Sequence, residues 1–306
     1  LCAGSLGEDT GGSIRRPASH NSCVGLRPSW GRVSMYGVIP GVWTQDTAGP
    51  LGRTVADCAL LMNVIAGYDA NDPISANLPV PDYLSVLDGD VKGMRIGVIK
   101  EIMEADHLHP EVQARVAEAL RRFEGLGAIV EEVSLPMIKL TNIISGTGGS
   151  DRTALQWKNL MENPHQYDVA SRRFNLLPGL IPGSIYQRTL QLRSLYRRQV
   201  LDACERYDIL VTPSQPTPPP SIADTKKPLL SQEQAMNDLK AFSFSNAAAI
   251  AGIPAISVPC GFTGDGLPVG LQIMAKRYDE ETVFRAAFAY EQNTSWHTMR
   301  PPVGDN

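Results

Sequence analysis

The feature that most constrains the fold is a strand-like segment followed by a helix and a second strand-like segment. MRIGVIK (94–100) and AIVEEV (128–133) are short apolar runs, which is typical of strands. Between them, Pro110 suits the first turn of a helix, and Gly125 and Gly127 suit its end. The apolar residues of that helix follow a helical spacing: Val112, Val116, Leu120 and Phe123. This unit predicts a right-handed crossover between two parallel strands.

Further elements of both kinds follow one another along the chain. Thr54 is a good N-cap for a helix that ends at Gly67, and Ser184 is predicted to cap a helix that runs to about Tyr207. The remaining predictions are strands at 208–213, 254–260 and 268–275, an extended segment at 213–221, and helices from Ser231 into 245–252 and over 279–292. We therefore predict an α/β fold with a mixed central sheet sandwiched between helical layers.

Composition excludes several classes of function. The 306 residues carry a net charge of −4 and no run of Lys or Arg, which argues against nucleic-acid binding. The most apolar region, 247–260, is broken by Gly252, Pro254 and Pro259, so we predict no membrane span. The cysteines are scattered, with no CxxC, which predicts reduced thiols and a cytoplasmic location: Cys2, Cys23, Cys58, Cys204 and Cys260.

The first 53 residues are rich in Gly, Ser, Thr and Pro, and the segment from Glu8 to Arg15 carries the strongest chemical signal. Two glycines directly before Ser13 let consecutive backbone N–H groups converge without side chains in the way. The residues Thr10, Gly11, Gly12 and Ser13 are therefore predicted to supply a nucleophile and an oxyanion hole. Asp9 and Arg15 flank the loop and are predicted to pair across it.

A plain Gly-Gly turn is the alternative interpretation, and the chain has a second such tripeptide at Gly148, Gly149 and Ser150. Other chemistries lack their motifs, since the sequence contains no GxSxG, SxxK, Gly-Lys or HExxH pattern. His107 and His109 stand two residues apart before Pro110 and are interpreted as loop residues. We predict no metal and no cofactor.

The residues around Ser13 decide between these interpretations. D-T-G-G-S-I-R-R-P-A, followed by V-G-L-R-P-S-W-G-R-V-S, closely resembles the second half of the amidase signature. The run from Asp46 to Pro50, the Thr212–Pro213 stretch and AGIPAISVPCGF also resemble that family. The resemblance implies an α/β/α fold and hydrolysis of amides, and sometimes esters or carbamates, by a Ser–cis-Ser–Lys triad. It implies that Ser13 is the nucleophile.

The chain departs from the family pattern before Ser13. The signature of the family begins earlier, with the bridging cis-serine, and its general-base lysine lies earlier still. No lysine occurs here before Lys92. We therefore expect residues 1–306 to be the C-terminal portion of a single amidase-signature domain, and an N-terminal segment to supply the Lys and the cis-Ser.

The sequence favours one function and leaves two alternatives open. The first is an amidase acting on a small-molecule amide with an apolar acyl or aryl group, whose pocket is predicted to include Ile14, Trp43 and Phe242. The second is a protein similar to the glutamine-dependent amidotransferase of the same family, which serves tRNA-linked amidation. That relative has an acidic residue near the place where Phe242 stands here. The third is a catalytically incomplete fragment that exposes an apolar surface and associates with another copy as a homodimer.

Overall fold

The computed structural model describes residues 2–225 and 244–300. Within these residues, eight strands form one mixed sheet in the order β1-β3-β2-β7-β8-β6-β4-β5. Their bounds are β1 Gly4–Glu8, β2 Val24–Arg27, β3 Ala48–Gly52, β4 Arg95–Ile99, β5 Ile129–Val133, β6 Ile209–Pro213, β7 Ala255–Phe262 and β8 Pro268–Met274. Both strands predicted at 94–100 and 128–133 are present, as β4 and β5.

Strand direction divides the sheet into two parts. β4 pairs in parallel with β5 and with β6, so that Ile96 lies opposite both Val130 and Ile209. The five pairs at the other side of the sheet are antiparallel. The parallel pair predicted from the strand–helix–strand unit is therefore confirmed, within a sheet that is mixed as expected.

Helices cover both faces of the sheet. Their bounds are α1 Arg15–His20, α2 Val55–Ile65, α3 Lys100–Met103, α4 Pro110–Gly125, α5 Thr141–Glu162, α6 Val169–Leu176, α7 Gly183–Cys204, α8 Ile222–Thr225, α9 244–251 and α10 Glu280–Gln292. One core joins the sheet to α2, α4 and α10, and the other joins it to α3, α7 and α9. Alternation along β6 contributes to both, since Ile209 and Val211 enter the first core and Leu210 the second.

Helix ends and glycines account for the differences from the predicted elements. Thr54 caps α2 as predicted, and Asp57 completes a capping box with it. Ser184 is not a helix cap, because α7 begins at Gly183 after Pro182. No helix was predicted where α5 lies, and this helix contains Gly148, Gly149 and Ser150.

The reason that α5 forms around glycine is close packing. A Cβ on Gly148 would lie 2.9 Å from Val42, and one on Gly149 would lie 2.8 Å from Pro178. Tertiary contact therefore outweighs the poor helix propensity of these residues. The prediction of a helix from Ser231 falls partly outside the described residues, and its described part, over 245–252, coincides with α9. Within the described part of the chain, no helix is long and apolar enough to cross a membrane.

Candidate active site

The loop that carries Ser13 connects the end of β1 to the start of α1. Ser13 is exposed to solvent, whereas Gly12 and Ile14 on either side of it are buried. Gly12 has a φ of +122°, and a Cβ there would lie 2.5 Å from the Cβ of Ser245. A Cβ on Gly11 would lie 2.6 Å from Oδ1 of Asn246. Glycine at both positions therefore lets the loop approach α9 more closely than a residue with a side chain would allow.

The carboxylate of Asp9 organises the inside of the loop. Asp9 is fully buried, and it accepts hydrogen bonds from the backbone N–H groups of Gly12 (2.7 Å) and Ile14 (3.1 Å). Arg15 donates to both of its oxygens, from Nη2 at 2.9 Å and from Nε at 3.1 Å. Asp9 and Arg15 thus pair across the loop with bidentate geometry.

A second buried guanidinium contacts the same carboxylate. Nη1 of Arg27 lies 3.2 Å from Oδ1 of Asp9 and also donates to its backbone carbonyl. Burial alone would raise the pKa of Asp9, but the charges of Arg15 and Arg27 outweigh it and hold that pKa well below its usual range. Burial lowers the pKa of Arg27 to about 10, so its guanidinium stays charged at neutral pH. The centre of the loop is therefore an ionised cluster that holds the backbone in place.

Arg15 also ties the loop to distant parts of the sequence. Its Nη1 donates to the carbonyl of Ser245 at 2.8 Å and to Oε1 of Gln272 at 2.6 Å. Gln272 in turn donates from Nε2 to Thr212 Oγ1 at 2.9 Å. The loop is thus fastened to α9 and to the middle of the sheet.

Arg27 and Gln272 were not among the predicted site residues. A signal for Gln272 was present, because it is a lone polar residue within the buried apolar strand β8. Arg27 lies inside the V-G-L-R motif, but its partner cannot be read from that motif.

The backbone amides of the loop differ in what they contact. The N–H of Gly12 already donates to Asp9, so it serves the internal structure of the loop. The oxyanion-hole prediction therefore rests on the backbone amides of Thr10, Gly11 and Ser13. Ser245 also contacts the loop, because its hydroxyl donates to the carbonyl of Gly11 at 2.7 Å.

The residues predicted to line a pocket lie in different places. Trp43 lines a cavity of about 200 Å³, together with Met35, Val38 and Pro40. Asp46 also lines this cavity and lies 2.8 Å from the Thr10 hydroxyl, so the cavity borders the Ser13 loop. The prediction for Phe242 concerns a residue outside the described part of the chain.

The structure corrects the prediction that Ile14 lines a pocket. Its side chain is fully buried, and a Cβ on Gly7 or on Gly25 would lie 3.0 Å from it. It therefore packs beneath the loop against the sheet. Residue type alone does not distinguish a residue that lines a pocket from one that packs in the core.

The histidines and cysteines take other places. His109 caps α4 by accepting the N–H of Glu111, and the ring of His107 contacts Phe244. Among the described residues, no group of His, Cys, Asp and Glu side chains is arranged to hold a metal ion. All five cysteines are free thiols: Cys2 is exposed, Cys23 is partly exposed, and Cys58, Cys204 and Cys260 are buried.

The profile of the amidase family matches residues 1–284. The chain belongs to the amidase family. This confirms the resemblance drawn from the Ser13 segment and its flanks.

Two curated relatives of this amidase-family chain are glutamyl-tRNA(Gln) amidotransferase subunits. The one from Halalkalibacterium halodurans is 40% identical over 97% of this chain, and the one from Moorella thermoacetica is 38% identical over 98% of it. The chain spans 65% of the length of each relative.

Solved structures show the same fold. A glutamyl-tRNA(Gln) amidotransferase subunit from Thermotoga maritima superposes with a TM-score of 0.80 at 33% identity, over 95% of this chain and 62% of that one. A bacterial aryl acylamidase gives 0.78 at 26% identity, over 97% of this chain and 65% of that one. The fold expected from the resemblance is therefore confirmed.

Proposed function

We propose that this chain supplies the nucleophile and the oxyanion loop of a serine amidase that cleaves the C–N bond of a carboxamide. The observation that carries the proposal is the exposed Ser13 at the end of a loop held by the buried Asp9 and Arg15. A preorganised loop is what acyl transfer requires, because donors must already point at the oxygen on which charge develops.

In the proposed reaction, Ser13 Oγ attacks the carbonyl carbon and its proton passes to a base. The electron pair of the carbonyl moves onto oxygen, where the amides of Thr10, Gly11 and Ser13 stabilise it. Collapse of this intermediate expels the amine, which takes a proton, and water then releases the acyl group. A serine hydroxyl needs a base to react at neutral pH. We propose that the lysine and the cis-serine lie in the part of the relatives' length that this chain does not span.

The identity of the amide has two candidates. The similarity to the glutamyl-tRNA(Gln) amidotransferase proteins, at up to 40% identity, favours glutamine as the amide and a partner protein that receives the ammonia. The aryl acylamidase is less similar, at 26%, but the apolar walls of the Trp43 cavity favour an aryl or acyl group. We propose glutamine as the first substrate to assay and an aryl amide as the second.

The experiment uses a fluorophosphonate, which phosphonylates activated serines, followed by mass spectrometry of the peptides. We expect the label on Ser13, none in Ser13→Ala, and unchanged labelling in Ser150→Ala, whose serine belongs to the second Gly-Gly-Ser. Release of ammonia from glutamine or an aryl amide should fall at least about 1,000-fold in Ser13→Ala. Substantial turnover in that variant contradicts the proposal.

The intact mass is measured before the assay. A mass above 33.2 kDa identifies additional sequence in which to seek the lysine. Unlabelled Ser13 in such a preparation also contradicts the proposal.

A further inference from the structure

Thr10, at the start of the Ser13 loop, lies between two carboxyl groups. Its Oγ1 is 2.7 Å from Oε1 of Glu8 and 2.8 Å from Oδ1 of Asp46. β1 and β3 are paired so that Glu8 lies opposite Ala48, which brings the segment before β3 beside the end of β1. The two acids therefore meet at Thr10 because of strand register.

The number of protons available at Thr10 indicates that Glu8 is protonated. A threonine hydroxyl has one proton to donate, so it can serve only one of the two carboxyl groups as a donor. Oδ2 of Asp46 already accepts the N–H groups of Gly41 (2.7 Å) and Val42 (2.8 Å). Asp46 is therefore an acceptor for two backbone donors, and we assign it the acceptor role toward Thr10 as well. The contact at 2.7 Å is then best satisfied if Glu8 keeps its proton and donates it to Thr10.

The charges around Glu8 support this assignment. Burial raises the pKa of Glu8 to about 7. A hydrogen bond donated by Thr10 to Glu8 would lower this pKa, whereas the charge of Asp46 and a hydrogen bond with the Asp46 carboxyl add to the rise. The charge of Asp9 raises it further. Arg152 on α5 is the cation whose charge interacts with both Glu8 and Asp46, but within the described residues it forms no ion pair with either.

We propose that Glu8 is a positioning residue for the Ser13 loop. Its neutral carboxyl donates to Thr10, and Thr10 donates to Asp46, so two hydrogen bonds in series hold the first residue of the loop. When Glu8 loses its proton, two carboxylates compete for one hydroxyl and Thr10 is released. The catalytic meaning of this device rests on the proposed function, whereas the hydrogen bonds themselves do not.

The test is a pH titration of the full chain by NMR, observing the side-chain carboxyl ¹³C of glutamate and the backbone amides of Thr10 and Gly11. In the wild type, we expect the Glu8 signal and both amides to titrate together with a midpoint near 7. Glu8→Gln keeps a donor to Thr10 at every pH, so it should remove this titration from both amides.

Glu291→Gln is the matched control. Burial also raises the pKa of Glu291 to about 7, but its carboxylate accepts the N–H of Val55 at the start of α2. This variant should therefore leave the titration of Thr10 intact. A midpoint for Glu8 near the ordinary glutamate value of 4.5, or Thr10 amide shifts that persist in Glu8→Gln, overturns the proposal.

Two further measurements separate a positioning role from a structural one. The folded state favours neutral Glu8, so the stability of the wild type relative to Glu8→Gln should fall as the pH rises from 4.5 to 7. The rate of Ser13 labelling in the wild type relative to Glu8→Gln should fall over about pH 6–8. If Ser13 takes no label at all, the proposed function fails while the NMR result still decides the role of Glu8.

Discussion

The chain contains the tripeptide Gly-Gly-Ser twice, and the two copies fold differently. At residues 11–13 it forms a loop with Gly12 at φ +122° and an exposed serine. At residues 148–150 it lies inside the helix α5, where Ser150 donates to the carbonyl of Pro178 at 2.9 Å. The tripeptide therefore determines neither structure.

The difference comes from what surrounds each copy. The first is preceded by a buried carboxylate that accepts the backbone N–H groups of Gly12 and Ile14, so the backbone has partners other than those of a helix. The second lies in a helix whose first turn has no acid, and its glycines pack on Val42 and Pro178. A motif of small residues allows neighbouring groups to pack close to the backbone. The buried charges beside the motif determine which groups the backbone contacts.

The largest effect is expected from Asp9→Asn. This change leaves Arg15 and Arg27 buried without a compensating charge, which should lower the free energy of unfolding by about 3–5 kcal/mol. Asp151→Asn on α5 is the control, because Asp151 is only partly buried and its contact with the Tyr186 hydroxyl survives as a neutral hydrogen bond. Urea unfolding monitored by circular dichroism measures both. Equal effects of the two variants would mean that the charge cluster does not hold the loop.

Gly12→Ala is expected to have the next largest effect. Alanine is strained at φ +122°, and its Cβ would collide with Ser245, so we expect a loss of about 2–4 kcal/mol. Labelling of Ser13 should also fall, because the loop must shift to relieve the collision. A Gly12→Ala protein with the stability and the labelling rate of the wild type would show that the left-handed conformation is not required.

Local patterns predicted the fold well where elements are regular. The helix α4 begins at Pro110 and ends at Gly125 as predicted, because a proline and a glycine mark those ends and an apolar stripe lies between them. The helix α5 was not predicted because its glycines oppose helix formation. The contacts that compensate for them are with Val42 and Pro178. Such contacts join parts of the chain that no local window contains.

The candidate site was likewise predictable from the sequence only in part. The segment around Ser13 was identifiable because its residues are contiguous and resemble a known signature. The contacts that hold it were not, since Gln272 is separated from Arg15 by 257 positions. Residue type likewise did not distinguish Ile14, which lies in the core, from Trp43, which lines a cavity.

The smallest effect is expected within α5 itself. A Cβ on Gly146 would have no heavy atom within 4 Å, so Gly146→Ala should add helix propensity without a collision and raise stability by about 0.5–1 kcal/mol. Gly148→Ala gains the same propensity but places its Cβ 2.9 Å from Val42, so it should not stabilise the protein. Thermal unfolding of the two variants compares them directly. If both raise the melting temperature equally, the glycines of α5 are not held by packing, and the contrast with the Ser13 loop rests on the buried charges alone.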